Sequence, residues 1–396
     1  MRELNSDLHI VGGALTGLLT AYCSARLGYK ITISEKKNFS NSRQKQTTDT
    51  RTTAIAEGSK VFLENQGLWK KIKHFAEPIK DIKVIDKTAM TRISFNNPKP
   101  KSNLGYIVKN SKLINVLIKE LSKKKNVNFL TGSSINTISC DNSKISTFSN
   151  SNKISSKLLL AADGKNSTVR KLLSTKLYKK NYNEKAIVIN FFHEKSHNNV
   201  AYEFFLKTGP LAFLPMEREN KKNQSALIWS NKPDIVDMIA AQEMNGQYLK
   251  EIINEKIYPQ LGNVININSV QVFPLSAHLN EKFYNKRTVY VGDAAHSIHP
   301  IAGQGWNLGL RDVKSITHLL AKPTQEGLEI GSNDFCKKYN NLCYYDAYRL
   351  FQLTDKLDWI FKKDEPYFKF IKKFGFKSIN NNSFIKEKIT EFAMGI

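Results

Sequence analysis

Hydrophobic and polar residues follow two different periods along this chain, and the changes between them predict its elements. Leu8 to Val11 is an apolar run of strand length, and the segment 15–25 is apolar at every third or fourth position, as in a helix. A second apolar run covers residues 31–34. A strand, a helix and a strand in this order predict two neighbouring strands of a parallel sheet.

The rest of the chain contains further segments with one or the other period. A helical period leads up to Trp69, returns at 112–121, and is found again beyond Tyr339, where the chain is basic and aromatic. Strands are predicted at 81–86 and 157–162, and the polar segment 38–50 predicts a loop. Short exposed hairpin strands are expected within 133–156. Four closely spaced runs predict an antiparallel meander: 186–192, 200–206, 211–214 and 226–230.

The order of these elements predicts a mixed fold, α/β with α+β character. A Rossmann-like nucleotide-binding domain would be discontinuous, formed by residues 1–75, 101–175 and 276–340. An antiparallel sheet domain, formed by residues 76–100 and 176–275, would interrupt it and bind the substrate. Residues 341–396 would form a C-terminal helical segment.

Length and composition indicate a globular protein. The chain has 396 residues, of which 41% are hydrophobic, which is enough for two or three units with their own cores. No run approaches the ~20 apolar residues of a spanning helix, and the first strand leaves no room for a cleavable signal. The cysteines show no CxxC pair and no metal-ligand spacing: Cys23, Cys140, Cys336 and Cys343. We therefore expect reduced thiols, a cytoplasmic protein and no metal site.

The net charge of +25, from 60 Lys and Arg against 35 Asp and Glu, raises the question of a polyanionic partner. The excess is mainly lysine and is spread along a chain that is also rich in Asn and Ile, which favours compositional drift. An anionic membrane surface is the second interpretation. Nucleic acid is the least favoured partner, because the chain contains no nucleic-acid module with interleaved aromatic residues.

A glycine-rich turn, Gly12-Gly-Ala-Leu-Thr-Gly17, joins the first strand to the first helix. In a G-x-G-x-x-G turn the first glycine allows the tight turn, the second lets the backbone approach a pyrophosphate, and the third lets the helix pack on the strand. Here Ala14 takes the second position. The turn alone could be purely structural. Glu35 strengthens the dinucleotide interpretation, because an acid at the end of the second strand can bind the adenosine ribose.

Two further strands end in an acid and a glycine. The strand 157–162 leads into Asp163-Gly164 and a Ser-x-x-Arg helix start, which taken alone could equally be a turn that caps a helix. The strand 288–291 leads into Gly292-Asp293, a Gly/Pro-rich loop and an amphipathic helix. Glycine backbone N–H groups and a helix N-terminus suit a cofactor with a polyol chain and an electron-poor ring, such as a flavin.

In this order, the three segments resemble those of the group A flavoprotein monooxygenases, which have the para-hydroxybenzoate hydroxylase fold. The chain is most similar to the polyprenyl-phenol hydroxylases of ubiquinone biosynthesis. Gly292-Asp-Ala-Ala-His296 matches the general motif, and His299-Pro-Ile-Ala-Gly-Gln-Gly-Trp-Asn-Leu-Gly-Leu-Arg-Asp312 matches the ubiquinone variant. Further matches are Arg51-Thr-Thr-Ala-Ile-Ala56, Leu104-Gly-Tyr-Ile-Val108, Gly209-Pro-Leu-Ala-Phe-Leu-Pro215 and Phe273-Pro-Leu275. The resemblance runs from about residue 8 to about residue 375.

The resemblance implies roles for individual residues where the motifs match. The dinucleotide turn would consist of Gly12, Gly13 and Gly17, with Glu35 on the adenosine ribose and Arg51 reaching FAD near the pyrophosphate. Asp163 and Gly164 match a pair associated with both FAD and the transient NAD(P)H site. Asp293, with Gly292 beside it, matches the acid that holds the ribityl chain. The loop beside the flavin ring would be the catalytic segment, formed by Pro300, Gly303, Gln304 and Gly305, with Ala302 and Asn307 as further cofactor-binding residues.

The same resemblance implies the reaction. NAD(P)H would reduce FAD, the reduced flavin would form a C4a-hydroperoxide with O2, and the distal oxygen would pass to a ring carbon activated by a phenol hydroxyl. The site must exclude water to protect this species. No general base is assigned, since His296 and His299 lie in the right motif but a histidine in a turn more often bonds to the backbone. The phenol could also react without a protein base.

The implied partners are a polyprenyl phenol, O2 and other ubiquinone-pathway proteins, with a cytoplasmic location peripheral to the inner membrane. The lysines and aromatic residues of 359–376 suit a membrane surface, although a helix packed on its own domain explains them too. One alternative is a flavin enzyme that hydroxylates a soluble aromatic compound or reduces prenyl double bonds. Another is a non-catalytic basic scaffold of a lipid-pathway assembly, for which Ala14 is the sequence support.

Overall fold

The strands occupy most of the apolar runs of the sequence. The computed structural model describes residues 1–38, 49–97, 102–241, 246–323 and 327–396, without the side chain of Ala302. Most of the loop predicted at 38–50 lies outside these residues. The strands are β1 (Arg2–Val11), β2 (Ile31–Glu35), β3 (Thr52–Ala56), β4 (Glu77–Ile79), β5 (Asp81–Asp86), β6 (Thr91–Asn96), β7 (Gly105–Lys109), β8 (Val127–Thr131), β9 (Thr137–Cys140), β10 (Ile145–Phe148), β11 (Asn152–Ala161), β12 (Leu177–His193), β13 (Val200–Leu206), β14 (Gly209–Glu219), β15 (Lys222–Asn231), β16 (Val264–Asn280), β17 (Tyr284–Asn285), β18 (Thr288–Tyr290) and β19 (His296–Ser297).

The helices follow the segments with a helical period. They are α1 (Leu15–Arg26), α2 (Glu57–Asn65), α3 (Trp69–Ile72), α4 (Asn110–Leu121), α5 (Thr168–Leu172), α6 (Pro233–Ala241), α7 (Gly246–Leu261), α8 (Gly305–Ala321), α9 (Asn333–Lys362), α10 (Pro366–Asn381) and α11 (Ser383–Met394). The predicted C-terminal helical region begins earlier than expected, at Asn333, because the Ser332 side chain accepts the N–H of Phe335 and caps α9 there.

The first sheet is largely parallel, as the strand–helix–strand opening predicted. Its strand order is β17-β18-β11-β1-β2-β8, and every neighbouring pair except β17–β18 is parallel. Leu8 lies between Ile31 and Leu158 in the register, and all three are fully buried. Strands covered on both faces have continuous apolar runs, and these runs allowed the strands to be predicted from the sequence.

The second sheet is mainly antiparallel and has the order β19-β16-β12-β15-β14-β13-β5-β6. The segments β13, β14 and β15 form the predicted meander. The first predicted strand, in contrast, pairs with β15 and β16 and not with β13, so the four strands are not in sequential order. Helices α6 and α7 cover one face of this sheet with an apolar cluster and leave the opposite face free of these two helices.

A third, small sheet was not predicted. It has the order β3-β7-β4, and no strand was predicted for any of these three segments. Ala54 pairs with Ile107, and Glu77 pairs with the same residue from the other side. This sheet lies against β14 and α8, and thereby places β3 beside the predicted flavin loop.

The C-terminal helices connect the sheets. Helix α9 contacts β13, β14 and β16 of the second sheet and β17 and β18 of the first. Helices α10 and α11 contact β6, and α11 also contacts α2. Among the described helices, none has the length and apolar content required to span a bilayer.

Candidate active site

Segments that follow four strands lie side by side at one edge of the first sheet. Strands β2, β1, β11 and β18 are consecutive and parallel, so their carboxyl ends share an edge. The residues at these ends are Glu35, Gly12-Gly13, Asp163-Gly164 and Gly292-Asp293. In open α/β sheets, ligands bind in the crevice at this edge. The structure therefore brings together the residues that the sequence analysis assigned to one dinucleotide.

The turn between β1 and α1 leaves no room for side chains at two positions. Gly12 has φ +115°, and a Cβ atom there would lie 2.3 Å from the carbonyl oxygen of Ala162. A Cβ on Gly17 would lie 1.9 Å from the carbonyl oxygen of Gly12. Ala14 occupies the N-cap of α1 in an extended conformation, with φ −90° and ψ −174°. The substitution of the middle glycine by Ala14 therefore causes no backbone strain.

Glu35 ends β2 and holds the glycine turn directly. Its Oε2 atom accepts the backbone N–H of Gly13 at 2.6 Å, and its Oε1 atom accepts the N–H of Lys37 at 3.0 Å. A carboxylate that accepts backbone N–H groups is a strong, charge-assisted acceptor. Glu35 thus lies beside the N-terminus of α1, where its position matches the one expected for a ribose-binding acid.

Asp163 caps the turn into α5 and also has an unused oxygen. Its Oδ2 atom accepts the N–H groups of Thr168 at 2.7 Å and Val169 at 3.1 Å, as the capping interpretation proposed. Its Oδ1 atom is buried and finds no hydrogen-bond partner among the described residues. Arg170 braces this turn against the third segment by donating to the carbonyl oxygens of Lys165 at 2.6 Å and Ala294 at 3.1 Å.

The turn at Gly292 is clamped by a buried acid on α8. The Oδ2 atom of Asp312 accepts the N–H of Gly292 at 2.8 Å and lies 2.6 Å from Nε2 of His296. Burial alone would lower the pKa of His296, but the charge and hydrogen bond of Asp312 outweigh it and raise this pKa above 6.5. Because both side chains of the pair are 2% exposed, His296 has a structural position and does not line the cavity described below.

Asp293 reaches accessible space next to two cations. The surrounding protein raises the pKa of its carboxyl, while the nearby charges of Lys165 and Arg51 oppose this shift. Arg51 forms two hydrogen bonds of 2.8 Å with Asp49 and lies 5.1 Å from the ring of Phe273. Burial raises the pKa of Asp49, but the hydrogen bonds and charge of Arg51 have the larger effect, so the pKa is lowered overall. The site thus places cationic groups beside the acid of the Gly-Asp turn.

The predicted flavin loop lies against the small third sheet. Gly303 has φ +61°, and a Cβ there would be 3.3 Å from that of Ala54, whereas Gly305 begins α8. The Asn307 amide is fully used inside the protein: it accepts from the Ala56 N–H and Ser59 Oγ, and donates to the carbonyls of Ala54 and Gly303. Asn307 therefore fixes the loop to β3. The side chain of Ala302 lies outside the described residues.

His299 precedes this loop in a buried charged cluster. Its Nε2 atom lies 3.5 Å from Asp358 Oδ1 and 3.9 Å from Glu184 Oε2, and these three groups are close enough to share a metal ion. Two observations favour ion pairing instead. Lys362 lies 2.6 Å from both carboxylates and offsets their charge, and the N–H of Ile301 points at His299 Nδ1 at 3.4 Å. The cluster therefore anchors the loop to β12 and α9.

An apolar cavity of about 340 Å³ opens between the flavin loop and the free face of the second sheet. Pro300, Gly303 and Gln304 line this cavity, together with residues of α9, α10 and α11. Gln304 donates from Nε2 to the carbonyl oxygen of Ala393 at 3.1 Å, which ties α11 to the loop. The volume is at the lower end of the roughly 300–1,000 Å³ that small-molecule sites occupy.

One acid in this cavity was missed by the sequence analysis. Glu203, on β13, is among the lining residues, and burial raises the pKa of its carboxyl to about 7. The available signal was an acid in the apolar run 200–206, at a position that shares a face with Ala201 and Phe205. No motif marked it.

Comparisons with known proteins agree with this geometry. Residues 5–341 match the profile of a family described as FAD binding domain. The ubiquinone hydroxylase UbiL of Rhodospirillum rubrum is 28% identical over 391 residues, which cover 98% of this chain and 90% of that protein. The 3-demethoxyubiquinol 3-hydroxylase of Escherichia coli is 26% identical, and the alignment covers both chains completely.

The fold is also found in a solved structure. The p-nitrophenol 4-monooxygenase PnpA of Pseudomonas putida superimposes with a TM-score of 0.80 over 100% of this chain and 98% of that one. The sequence identity is 17%, so this likeness concerns the fold.

Proposed function

This chain belongs to the FAD binding domain family, and we propose that it is an FAD-dependent monooxygenase that hydroxylates the aromatic ring of a polyprenylated phenol in ubiquinone biosynthesis, with NAD(P)H and O2. The observation that carries this proposal is the apolar cavity that ends at the loop Pro300–Gly305, next to the edge where the three motif segments meet. A dinucleotide lying along this edge would present its ring to the cavity.

The residues at the sheet edge suit FAD. Gly12 supports a backbone turn that no larger residue could form, and the N-terminus of α1, which has no acid in its first turn, faces the same edge. Glu35 would bind the adenosine ribose, Asp163 offers its unpaired Oδ1 atom, and Asp293 would take the ribityl hydroxyls. Gly13, Gly17, Gly164 and Arg51 complete the proposed set. When bound, FAD supplies electron transfer from NAD(P)H and the activation of O2.

Different parts of the chain would bind the cofactor and the substrate. We infer that residues 1–75, 101–175 and 276–340 hold the cofactor and that residues 76–100 and 176–275 hold the substrate. The N-terminus of α8, at Gly305, also has no acid in its first turn, so its dipole favours negative charge at the flavin loop. The apolar lining excludes water from the reacting centre. Pro300, Gly303, Gln304 and Gly305 position the two reactants.

A polyprenyl tail fits the chemistry of the cavity wall. Helix α10 contributes Phe376 and Ile379 to the cavity, while Tyr367, Phe370 and Phe374 on its other side are 69%, 68% and 64% exposed. These three aromatic residues follow a helical spacing and form one stripe. We call Tyr367, Phe370 and Phe374 the α10 aromatic stripe. The helix therefore separates the cavity from an apolar exterior surface.

We propose that this stripe contacts an anionic membrane from which the substrate enters. Lys369, Lys373 and Lys377 lie on the same helix, and each lysine near an anionic surface contributes about 1 kcal/mol. We expect vesicles containing anionic lipid to bring the protein to the top of a flotation gradient, and added salt to weaken this binding. The double variant Phe370→Ser/Phe374→Ser should lose most of it, whereas Tyr345→Ser, on α9, should not. Equal flotation of both variants would contradict the proposal.

The function is tested by the origin of the new oxygen atom. Purified protein, FAD, NAD(P)H and a short-chain prenylated phenol are incubated under ¹⁸O2, and the product is analysed by mass spectrometry. We expect one ¹⁸O atom in the ring hydroxyl for each molecule of NAD(P)H consumed in a coupled turnover. Product without ¹⁸O would refute hydroxylation by O2, and turnover of soluble phenols without turnover of the prenylated phenol would refute the polyprenyl assignment. A protein that takes up no FAD would instead support a scaffold.

A further inference from the structure

The free face of the second sheet presents one acid to the cavity. Along β13 the side chains alternate, so Ala201, Glu203 and Phe205 point toward the cavity. Phe204, between them, packs into the apolar cluster under α6 and α7 on the opposite face. Glu203 thus lies on the cavity floor. Strand β13 pairs with β14 and β5 without a register shift, so this alternation is regular.

The neighbours of Glu203 are apolar. In the register, Glu203 lies between Val84 of β5 and Ala212 of β14, and Ile228 of β15 follows Ala212 in the same row. All three line the cavity. Among the described residues the Glu203 carboxyl has no hydrogen-bond or ion-pair partner, and its pKa shift to about 7 has burial as its cause. A carboxyl group in this position, without a partner from the protein, is available to a ligand in the cavity.

Several other charged groups on the elements around the cavity have partners outside it. Lys372 of α10 lies 3.4 Å from Asp86 of β5, Asp358 of α9 is paired with Lys362, and Glu391 of α11 is paired with Lys388. Lys83 and Lys87, on and after β5, lie over the rings of Tyr202 and Phe204 on the opposite face. Among the described residues that line the cavity, Glu203 is the only charged one.

We propose that Glu203 is the general base that accepts the phenol proton of the substrate, an inference that rests on the proposed function. The phenol O–H bond breaks while an O–H bond to the carboxylate forms. Electron density from the phenolate oxygen moves into the ring, whose activated carbon would form the new C–O bond with one oxygen atom of O2 as the O–O bond breaks. The second oxygen atom would leave as water, which takes up the C–H proton that the ring loses, and the electrons for this reduction would come from NAD(P)H through FAD. Glu203 then returns its proton to the original oxygen.

The acidity of Glu203 suits this role. A base with a pKa near the working pH combines a large ionised fraction with useful basicity, and such bases accelerate reactions about 10²–10⁴-fold. A carboxyl at its ordinary pKa, near 4.5, would be a much weaker base toward a phenol, whose pKa is about 10. The apolar floor that raises the pKa of Glu203 also holds the ring, so one environment serves both functions.

The proposal is tested with Glu203→Gln, which keeps the shape of the side chain and removes its basicity. We expect the reduction of FAD by NAD(P)H to change less than about 2-fold, while the yield of hydroxylated product per NAD(P)H falls about 100-fold and hydrogen peroxide takes its place. The wild-type yield should rise with pH around pH 7, and the variant should lose this rise. Glu203→Asp should restore part of the yield. The control Glu219→Gln, on β14 outside the cavity, should match the wild type.

A second readout does not depend on turnover. The oxidised FAD-bound protein is mixed with a prenylated phenol carrying ¹³C at the hydroxyl-bearing carbon, and the NMR shift is followed with pH. We expect the bound phenol to report an ionisation near pH 7 in the wild type that disappears in Glu203→Gln. An unchanged titration, or an unchanged product yield and pH profile, overturns the role of Glu203. Absence of product from the wild type would refute the proposed hydroxylation instead, and if Glu203→Gln does not fold, Glu203→Asp provides the comparison.

Discussion

Replacing Asp312 tests how the Gly-Asp turn is held at the sheet edge. Its Oδ2 atom accepts both the N–H of Gly292 and Nε2–H of His296, at 2.8 and 2.6 Å. In Asp312→Ala these two buried donors lose their acceptor, and we expect the free energy of unfolding to fall by about 3–5 kcal/mol, as for other broken buried pairs. Asp312→Asn keeps an oxygen for both donors and loses only the charge, so its cost should be about 1 kcal/mol.

The same pair gives the stability a pH dependence of known sign. The folded-state pKa of His296 is raised above 6.5, so protonation of His296 favours the folded state. This contribution is complete below pH 6.5 and is lost as the pH rises through the folded-state pKa. In Asp312→Asn the cause of the raised pKa is removed, and this part of the pH dependence should disappear.

The assay is urea unfolding of each variant between pH 5.5 and 8.5 (about the range in which histidine titrates), without and with saturating FAD. Asp346→Ala serves as a control, because it removes the partly exposed ion pair with the neighbouring Arg311 and should cost less than about 1 kcal/mol. We also expect Asp312→Ala to bind FAD more weakly, since Gly292 supports Asp293. A loss below about 1 kcal/mol in Asp312→Ala, or a wild-type pH profile in Asp312→Asn, would refute the clamp.

Two further predictions concern other parts of the fold. Gly12→Ala places a methyl group 2.3 Å from the carbonyl oxygen of Ala162 and should abolish FAD binding in a fluorescence titration. The control Gly246→Ala, whose methyl group meets nothing within 4 Å, should bind FAD normally. Lys372→Met leaves the buried Asp86 without its cation and should lower the free energy of unfolding by about 3–5 kcal/mol, measured with urea. The double variant Lys372→Met/Asp86→Asn should recover most of this loss. A double variant whose loss equals the sum of the two single losses would argue against the pair.

The first sheet could be predicted because its signals are local. Strands such as Leu8–Val11 and 31–34 are covered on both faces, so their apolar runs stand out against polar turns. The special glycines and acids directly follow these strands, and parallel strands place such residues at one edge. The meeting of Glu35, Gly12 and Asp293 therefore followed from topology alone.

The second sheet and the cavity depended on long-range pairing that no local pattern contains. Strand β12 pairs with β15 and β16 across large sequence separations, and the sequential order assumed for the meander was wrong for this strand. Glu203 gains its importance from Val84 and Ala212 on two other strands. Asp312, the partner of His296, ends the same run of motif residues but lies 16 residues further on, in α8, and no local pattern showed that the two side chains meet.

A crystal structure of the protein grown with FAD tests the proposed cofactor site most directly. We expect continuous density along the edge of the first sheet, with the adenosine ribose at Glu35, the ribityl chain at Asp293 and the flavin ring between the loop Pro300–Gly305 and the cavity that contains Glu203. Density for FAD elsewhere on the protein, or an edge that stays free of cofactor at saturating FAD, would contradict it.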